Sequence, residues 1–258
     1  ALCSLYEVAP SNAILTCAEL CGDHLLACAQ PMAKGIGWSI KEGEPPLAGF
    51  GHGAAGIALN LLRLFQLTKE QRFKQGALAA IEYERSLFSS EAQNWPDLRP
   101  EPASNAAGSG DRQKQKYMVA WCHGAAGIGL ARLGALHILD TLQIREEIDV
   151  ALRTTLCEGF GLNHSLCHGD MGNLDVLLIA ARIPGKPEYQ QAIERISAML
   201  LDSIDRQGWV TGVPLGVETP GLMVGLAGIG YGLLRLAAPK QVPSVLLGEA
   251  PVLSQQNK

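Results

Sequence analysis

Four times along this chain the same short signature opens a long apolar stretch, so like elements have to be stacked against one another. Aligned on a glycine pair, the copies read Gly51-His52-Gly53-Ala54-Ala55-Gly56, Cys122-His123-Gly124-Ala125-Ala126-Gly127, Cys167-His168-Gly169-Asp170-Met171-Gly172 and Met223-Val224-Gly225-Leu226-Ala227-Gly228. His52, His123, His168 and Val224 follow one another at intervals of 71, 45 and 56 residues, too irregular for a tight solenoid. Repeated helical hairpins with loops of variable length, set around a shared centre, suit that spacing. The glycines permit a sharp turn and a close backbone approach just before each helix starts.

If the four helix N-termini point at one place, Cys122, Cys167 and the imidazoles of His52, His123 and His168 converge. The partial positive charge of a helix N-terminus favours a thiolate there. Two thiolates with one or two imidazoles make a good zinc donor set. No CxxC or HExxH pair is present, so the repetition carries the inference, and spacing leaves open which imidazoles join the thiols. One Cys-His pair alone reads equally as a small core cysteine beside a hydrogen-bonded histidine. Two pairs in matching repeat positions favour a metal. His24, His137 and His164 fall outside the pattern and are expected as ordinary surface or core histidines, with His164 near enough to Cys167 to support the site.

With 258 residues, 47% of them hydrophobic, the chain can bury the core of one large domain spanning 1–258. A net charge of -4 without a basic stripe argues against a nucleic-acid partner. No apolar run reaches the roughly 18 residues a membrane span needs. The start, Ala1-Leu2-Cys3-Ser4, reads as a cut through a helix, so a piece of a longer protein is expected. Seven cysteines, an odd number in a long apolar chain, point to free thiols in a reducing, cytoplasmic setting. Cys17, Cys21 and Cys28 share one helix face and, with Cys3 and Cys157, are expected as small buried core residues.

Residues 12–29 read as an amphipathic helix capped by Ser11, with Ile14, Leu15, Ala18, Cys21, Leu25 and Leu26 as its apolar stripe. Residues 30–48, rich in Gly and Pro, form a loop in which Trp38 packs. Copy one opens a helix to Leu67, and Thr68-Lys69-Glu70-Gln71 has capping-box spacing for the next, to Phe88. Residues 89–116 lack periodicity, and so long a loop in a compact domain is functional or disordered. Within it Asn94-Trp95-Pro96-Asp97-Leu98-Arg99 stands out, with Trp95 as an anchor. Copies two and three open the helices 123–139 and 170–183, each followed by a second helix, 143–158 and 187–204. Copy four opens the last helix, 222–237, and, lacking Cys and His, is expected to be structural. Trp209 is expected to anchor the 205–220 loop, and the tail from Pro243 to Lys258 to end in disorder. No stretch alternates as a strand does, so the fold is expected to be all-α.

His-Gly-x-x-Gly at His52, Trp-Cys-His-Gly at 121–124, Cys-His-Gly at 167–169 and Gly-Leu-Met-x-Gly at 221–225 together resemble the lanthionine synthetase C-like cyclases. The 94–99 segment and the ending Pro243-Ser244-Val245-Leu246-Leu247 resemble, more narrowly, the C-terminal cyclase domain of the bifunctional class II lanthipeptide synthetases. The resemblance implies an α/α toroid of helical hairpins in two layers, with zinc at one end of its centre. It implies (methyl)lanthionine ring formation, in which a peptide cysteine adds to dehydroalanine or dehydrobutyrine. By motif match Cys122, Cys167 and His168 would be the zinc ligands and His52 the acid/base residue. His123 would line the site, or donate the proton in place of His52. The partners implied are a dehydrated precursor peptide with its leader and the dehydratase domain of a parent synthetase. The family carries further hairpins, one with an aspartate near the site, and no such motif precedes His52, so the toroid is expected to be N-terminally incomplete. Rival readings are an inactive shortened cyclase and a zinc-holding module that binds thiol peptides or glutathione, the latter opposed by the His52 motif.

Overall fold

A computed structural model of the chain describes residues 1–100 and 115–251. Among them the helices are α1 (Leu2–Val8), α2 (Asn12–Ala27), α3 (Ala54–Thr68), α4 (Gln71–Leu87), α5 (Ala125–Ala135), α6 (Leu142–Glu158), α7 (Asp170–Ala180), α8 (Pro187–Gln207) and α9 (Leu226–Ala237). They alternate between two layers. α1, α3, α5, α7 and α9 form the inner arc, each packed on the next, while α2, α4, α6 and α8 back them from outside. This is the double layer of an α/α toroid. The all-α expectation holds apart from a two-residue antiparallel ribbon, β1 (Gln30–Pro31) with β2 (Ile36–Gly37).

The layers follow from the sequence. Every residue of α5 and of α7 is buried; their side chains are small or apolar apart from Arg132 on α5 and Asp170, Asn173 and Asp175 on α7, each of which makes side-chain hydrogen bonds within the fold. A helix that is apolar all round has to be covered on all sides. By contrast α4, α6 and α8 bury one stripe each, with Phe73, Ala77, Ala80 and Ile81 on α4, and Ile193, Ile196 and Leu200 on α8. Ser11 caps α2 as expected, its Oγ accepting from the Ile14 amide at 3.2 Å.

Several expectations need correction. Thr68 does not form a capping box: its hydroxyl bonds the Leu64 carbonyl at 2.9 Å, Lys69 takes a left-handed φ of 62°, and α4 starts at Gln71 with no side-chain cap. The Thr68 hydroxyl also accepts from the Glu70 amide at 3.2 Å, but the left-handed turn at Lys69 sets the start of α4 two residues further on and out of capping-box register. Cys17, Cys21, Cys28 and Cys157 are exposed, and of the five cysteines read as core only Cys3 is buried. The face of α2 that meets the rest of the fold carries Ala18 and Gly22, where the Leu64 and Phe73 side chains press in. Trp209, expected as a loop anchor, is 43% exposed, whereas Trp95 is 1% exposed and packs on Phe88. Of the 89–116 loop, residues 101–114 lie outside the described residues, and the flanks are bridged by Ser89 with Asn94 and Pro96 with Tyr117.

The tail is packed as far as Ala250. Its expected disordered end, 252–258, lies outside the described residues. Tyr231 Oη donates to the Pro243 carbonyl and Ser4 Oγ to the Gly248 carbonyl. Leu247 presses on Gly134, and the Trp121 indole donates to the Leu246 carbonyl at 3.2 Å. With Arg63 of α3 donating to the Gly248 carbonyl and the Ser244 hydroxyl to Asp175 of α7, the segment touches every inner helix.

Two buried charge clusters stitch the layers together. Arg132, 1% exposed on α5, donates to Glu84 of α4 at 3.1 Å and to Glu147 of α6 at 2.7 Å. Arg235 donates to Asp175 at 2.7 Å, and Asp175 also accepts from the Ser244 hydroxyl. Burial pushes the Glu84 carboxyl up, and Arg132 opposes that push. Removing one partner of such a pair strands a charge, which typically costs about 3–5 kcal/mol. Arg132→Met is therefore expected to lose stability on that scale in urea unfolding at pH 7. Glu84→Gln combined with Arg132→Met should recover part of the loss.

Candidate metal centre

The four signature copies adopt one backbone frame. Gly53, Gly124, Gly169 and Gly225 sit at the N-caps of α3, α5, α7 and α9. The second glycine of each copy meets the carbonyl oxygen six residues earlier. A Cβ there would lie 2.2 Å from Phe50 O at Gly56, 2.0 Å from Trp121 O at Gly127, 2.0 Å from Leu166 O at Gly172 and 1.8 Å from Leu222 O at Gly228. Only glycine allows the incoming chain to pass so close to the helix start. The residues that follow those carbonyls are Gly51, Cys122, Cys167 and Met223, and they are joined in series. Gly51 N donates to Cys122 O at 3.3 Å, Cys122 N to Cys167 O at 3.3 Å, and Cys167 N to Met223 O at 2.8 Å.

This frame brings together the three residues the sequence singled out as ligands. Donor atoms of Cys122, Cys167 and His168 all lie within 4.8 Å of one another. Cys122 is buried, and Cys167 and His168 are half-buried, so the group opens to solvent on one side. The Cys167 thiol is lowered to about 5, first by its hydrogen bond with Cys122, with His168 adding to the effect. Cys122 is raised, first by the same bond and then by burial. The two thiols therefore titrate as a pair, the hydrogen bond between them favouring ionisation of one sulfur over loss of both protons. His168 is raised, first by its hydrogen bond to Cys167. Its Nε2 lies 3.0 Å from the Gly212 carbonyl. With Nε2–H donating there, Nδ1 is left with a lone pair. Orientation of a ligand imidazole through its second nitrogen is typical of metal sites. The donor set fits a zinc-like ion: two sulfurs and one nitrogen, with room for a fourth ligand.

His52 and His123 lie beside this group rather than in it. Their rings stack with centroids 5.7 Å apart. His52 is exposed, and its charge bears on Cys167. His123 is 1% exposed, with Nδ1 3.4 Å from the Ala48 carbonyl and no hydrogen-bond partner at Nε2. Burial, then the charge of Arg99, lowers its pKa. The remaining histidines behave as expected. His24 contacts Cys28 and His137 contacts Gln66 on the surface, while buried His164 binds the Val210 amide and Ser203.

Other residues that build the site had been assigned no role. Asn94 Oδ1 accepts from the amides of Trp95 and Ala125, both at 2.8 Å, and its Nδ2 donates to Met118 O at 3.1 Å. It caps α5 from another part of the chain and holds the strand leading to Cys122. Asn173, on α7, donates to Val119 O at 2.8 Å and to Gly159 O at 2.6 Å, and so ties the helix of copy three to the strand leading to Cys122 and to the end of α6. Asp97 grips Arg99 through two guanidinium nitrogens, and the Arg99 charge bears on Cys122, Cys167, His123 and His168. The signal for Asn94, Asp97 and Arg99 was the composition of the 94–99 segment, which marked it without giving its purpose.

The model of the family described as lanthionine synthetase C-like protein matches residues 1–247. The lacticin 481/lactococcin biosynthesis protein LcnDR2 of Lactococcus lactis subsp. lactis is 26% identical over an alignment 237 residues long that covers 84% of this chain and 23% of that protein. Among solved structures, nisin cyclase matches with a TM-score of 0.59 and 18% identity over 78% of this chain and 50% of its own. A GH76 alpha-mannanase of Bacteroides thetaiotaomicron matches with a TM-score of 0.55 and 13% identity over 77% of this chain and 53% of its own. This chain therefore spans under a quarter of the curated relative and half of nisin cyclase. The toroid also carries sugar chemistry in the mannanase, so the fold alone does not specify a reaction.

Losing the Asn94 side chain would leave the buried Ala125 amide and Met118 carbonyl unpaired, at about 1–3 kcal/mol for each stranded group. Asn94→Ala is expected to lower the urea midpoint accordingly. It should also speed alkylation of Cys122, whose approach strand it frees.

Proposed function

The chain belongs to the lanthionine synthetase C-like family, and on that premise we propose that it is a zinc-dependent cyclase domain that closes thioether rings in a dehydrated peptide. The observation that carries the reading is the convergence of Cys122, Cys167 and His168 within 4.8 Å, from two signature copies 45 residues apart. These three would hold the ion. When bound, zinc supplies the Lewis acidity that keeps a peptide thiol ionised at neutral pH.

The rest belongs to the protein. The backbone frame fixes both cysteines, and Gly212 fixes the His168 ring. The half-buried edge formed by Cys167 and His168 is where a peptide cysteine would enter. Its sulfur attacks the β-carbon of dehydroalanine or dehydrobutyrine. The C–S bond forms as the C=C electron pair moves toward the carbonyl, leaving an enolate that needs a proton at the α-carbon. His52, exposed beside Cys167, can exchange protons with solvent and is assigned as the donor. His123, whose pKa is lowered by its burial, stacks against the His52 ring and lines the site.

The substrate in this reading is a precursor peptide with its leader, dehydrated beforehand by the dehydratase domain of a parent synthetase. All seven cysteines are unpaired, which supports a reducing, cytoplasmic setting, and no helix among the described residues is long and apolar enough to cross a membrane.

Metal analysis of the purified chain is expected to find near one zinc per molecule, and Cys167→Ala to lose it. His52→Ala should retain zinc while ring formation, followed by the disappearance of free peptide thiol, slows by about 10²–10⁴-fold. A well-folded chain without zinc would sink the reading. A zinc-loaded chain that binds the peptide without closing a ring would replace it with a thiol-binding module.

A further inference from the structure

The proposed reaction leaves the enolate oxygen without a partner. Conjugate addition places negative charge on the carbonyl oxygen of the dehydro residue, and such charge is stabilised by N–H donors already in place. The amides of Gly51, Cys122 and Cys167 are spent on the carbonyls of Cys122, Cys167 and Met223. His168 Nε2 is committed to Gly212, and His52 is needed at the carbon.

Arg99 remains. It closes the 94–99 segment, and its side chain is held from several directions. Nε lies 2.9 Å from Asp97 Oδ1 and 3.2 Å from Oδ2, and Nη2 lies 2.6 Å from Oδ2. Nη2 also contacts the Met118 sulfur at 2.9 Å, four residues before Cys122. The Asp97 side chain is 8% exposed and is tied down by the Arg99 amide at 3.1 Å, while the Asp97 amide bonds the Lys116 carbonyl at 2.9 Å. That grip takes the Nε–Nη2 edge of the guanidinium. Nη1 has no hydrogen-bond partner among the described residues, and the side chain keeps 46% exposure. The charge is near enough to act on both thiols and on His123 and His168.

We propose that Arg99 is a further catalytic residue, its Nη1 donating to the carbonyl oxygen of the dehydro residue as that oxygen becomes an enolate, with Asp97 as the positioning residue that aims it. This rests on the cyclase reading above. As the peptide sulfur bonds the β-carbon, the π pair shifts to the Cα–C–O unit and Arg99 meets the charge at oxygen. The proton from His52 then restores the carbonyl and releases the Arg99 contact.

The test compares the full chain with Arg99→Gln, Arg99→Lys and Asp97→Asn on one dehydrated peptide. It reads kcat, KM, peptide Kd by fluorescence anisotropy, zinc content and melting temperature. Arg99→Gln is expected to lower kcat by about 10²-fold, as for removal of one oxyanion donor, with peptide Kd and zinc content unchanged. Arg99→Lys keeps the charge without the planar fork and should fall between wild type and Arg99→Gln. Asp97→Asn should lower kcat less than Arg99→Gln. Equal kcat in wild type and Arg99→Gln overturns the proposal and leaves the cyclase reading standing. A rise in KM and Kd alone also overturns it, making Arg99 a peptide anchor. A zinc-loaded wild type that forms no ring overturns both.

Discussion

Three backbone hydrogen bonds in series, Gly51 to Cys122, Cys122 to Cys167 and Cys167 to Met223, set the geometry on which the site depends. Each is worth only about 1 kcal/mol net, but a buried amide left without its carbonyl would cost more than that. Their importance is geometric. They place the α-carbons of Cys122 and Cys167 side by side before any side chain takes part. The glycines at 56, 127, 172 and 228 make this possible, because a methyl group there would strike the carbonyl just upstream. The first and fourth copies therefore matter without adding a donor atom to the Cys122–Cys167–His168 group: Gly51 and Met223 terminate the series.

Much of this architecture was legible because it is written as a repeat. Glycines at fixed offsets ahead of apolar stretches gave the hairpins, the inner helices and the residues that converge on the centre. The errors arose where one property had more than one possible cause. Cys17, Cys21 and Cys28 lie on one helix face, but Ala18 and Gly22, which permit closer approach, define the face of α2 that packs. Thr68 had the spacing of a cap, but the left-handed turn at Lys69 starts α4 two residues further on. Asn94, Asn173 and Arg99 were beyond reach for another reason. Each acts on a partner far along the chain or on a part of the fold that sequence spacing does not bring near. Asn94 caps a helix that starts at Ala125, and no local pattern encodes that.

The buried charges are arranged to serve the frame as well as the core. Glu84 receives Arg132 on one oxygen and the Gly49 amide, at 3.0 Å, on the other. An outer helix thus grips the turn that leads into copy one. A hydrophobic pair of equal volume could fill the same space, but it could not fix that turn. Asp175 does the corresponding work at the other side of the arc, taking Arg235 and Ser244 and so joining α7, α9 and the tail.

The tail reaches back to the site. Leu246 and Leu247 are buried, the Leu246 carbonyl accepts from the indole of Trp121, the residue beside Cys122, and Leu247 presses on Gly134 of α5. The neighbour of a site thiol is thus held by a segment 125 residues further along the chain. The backbone that presents Cys122 is complete only once that distant segment has docked, so loosening the tail would be felt first as a loss of precision at the sulfur rather than as a loss of helix.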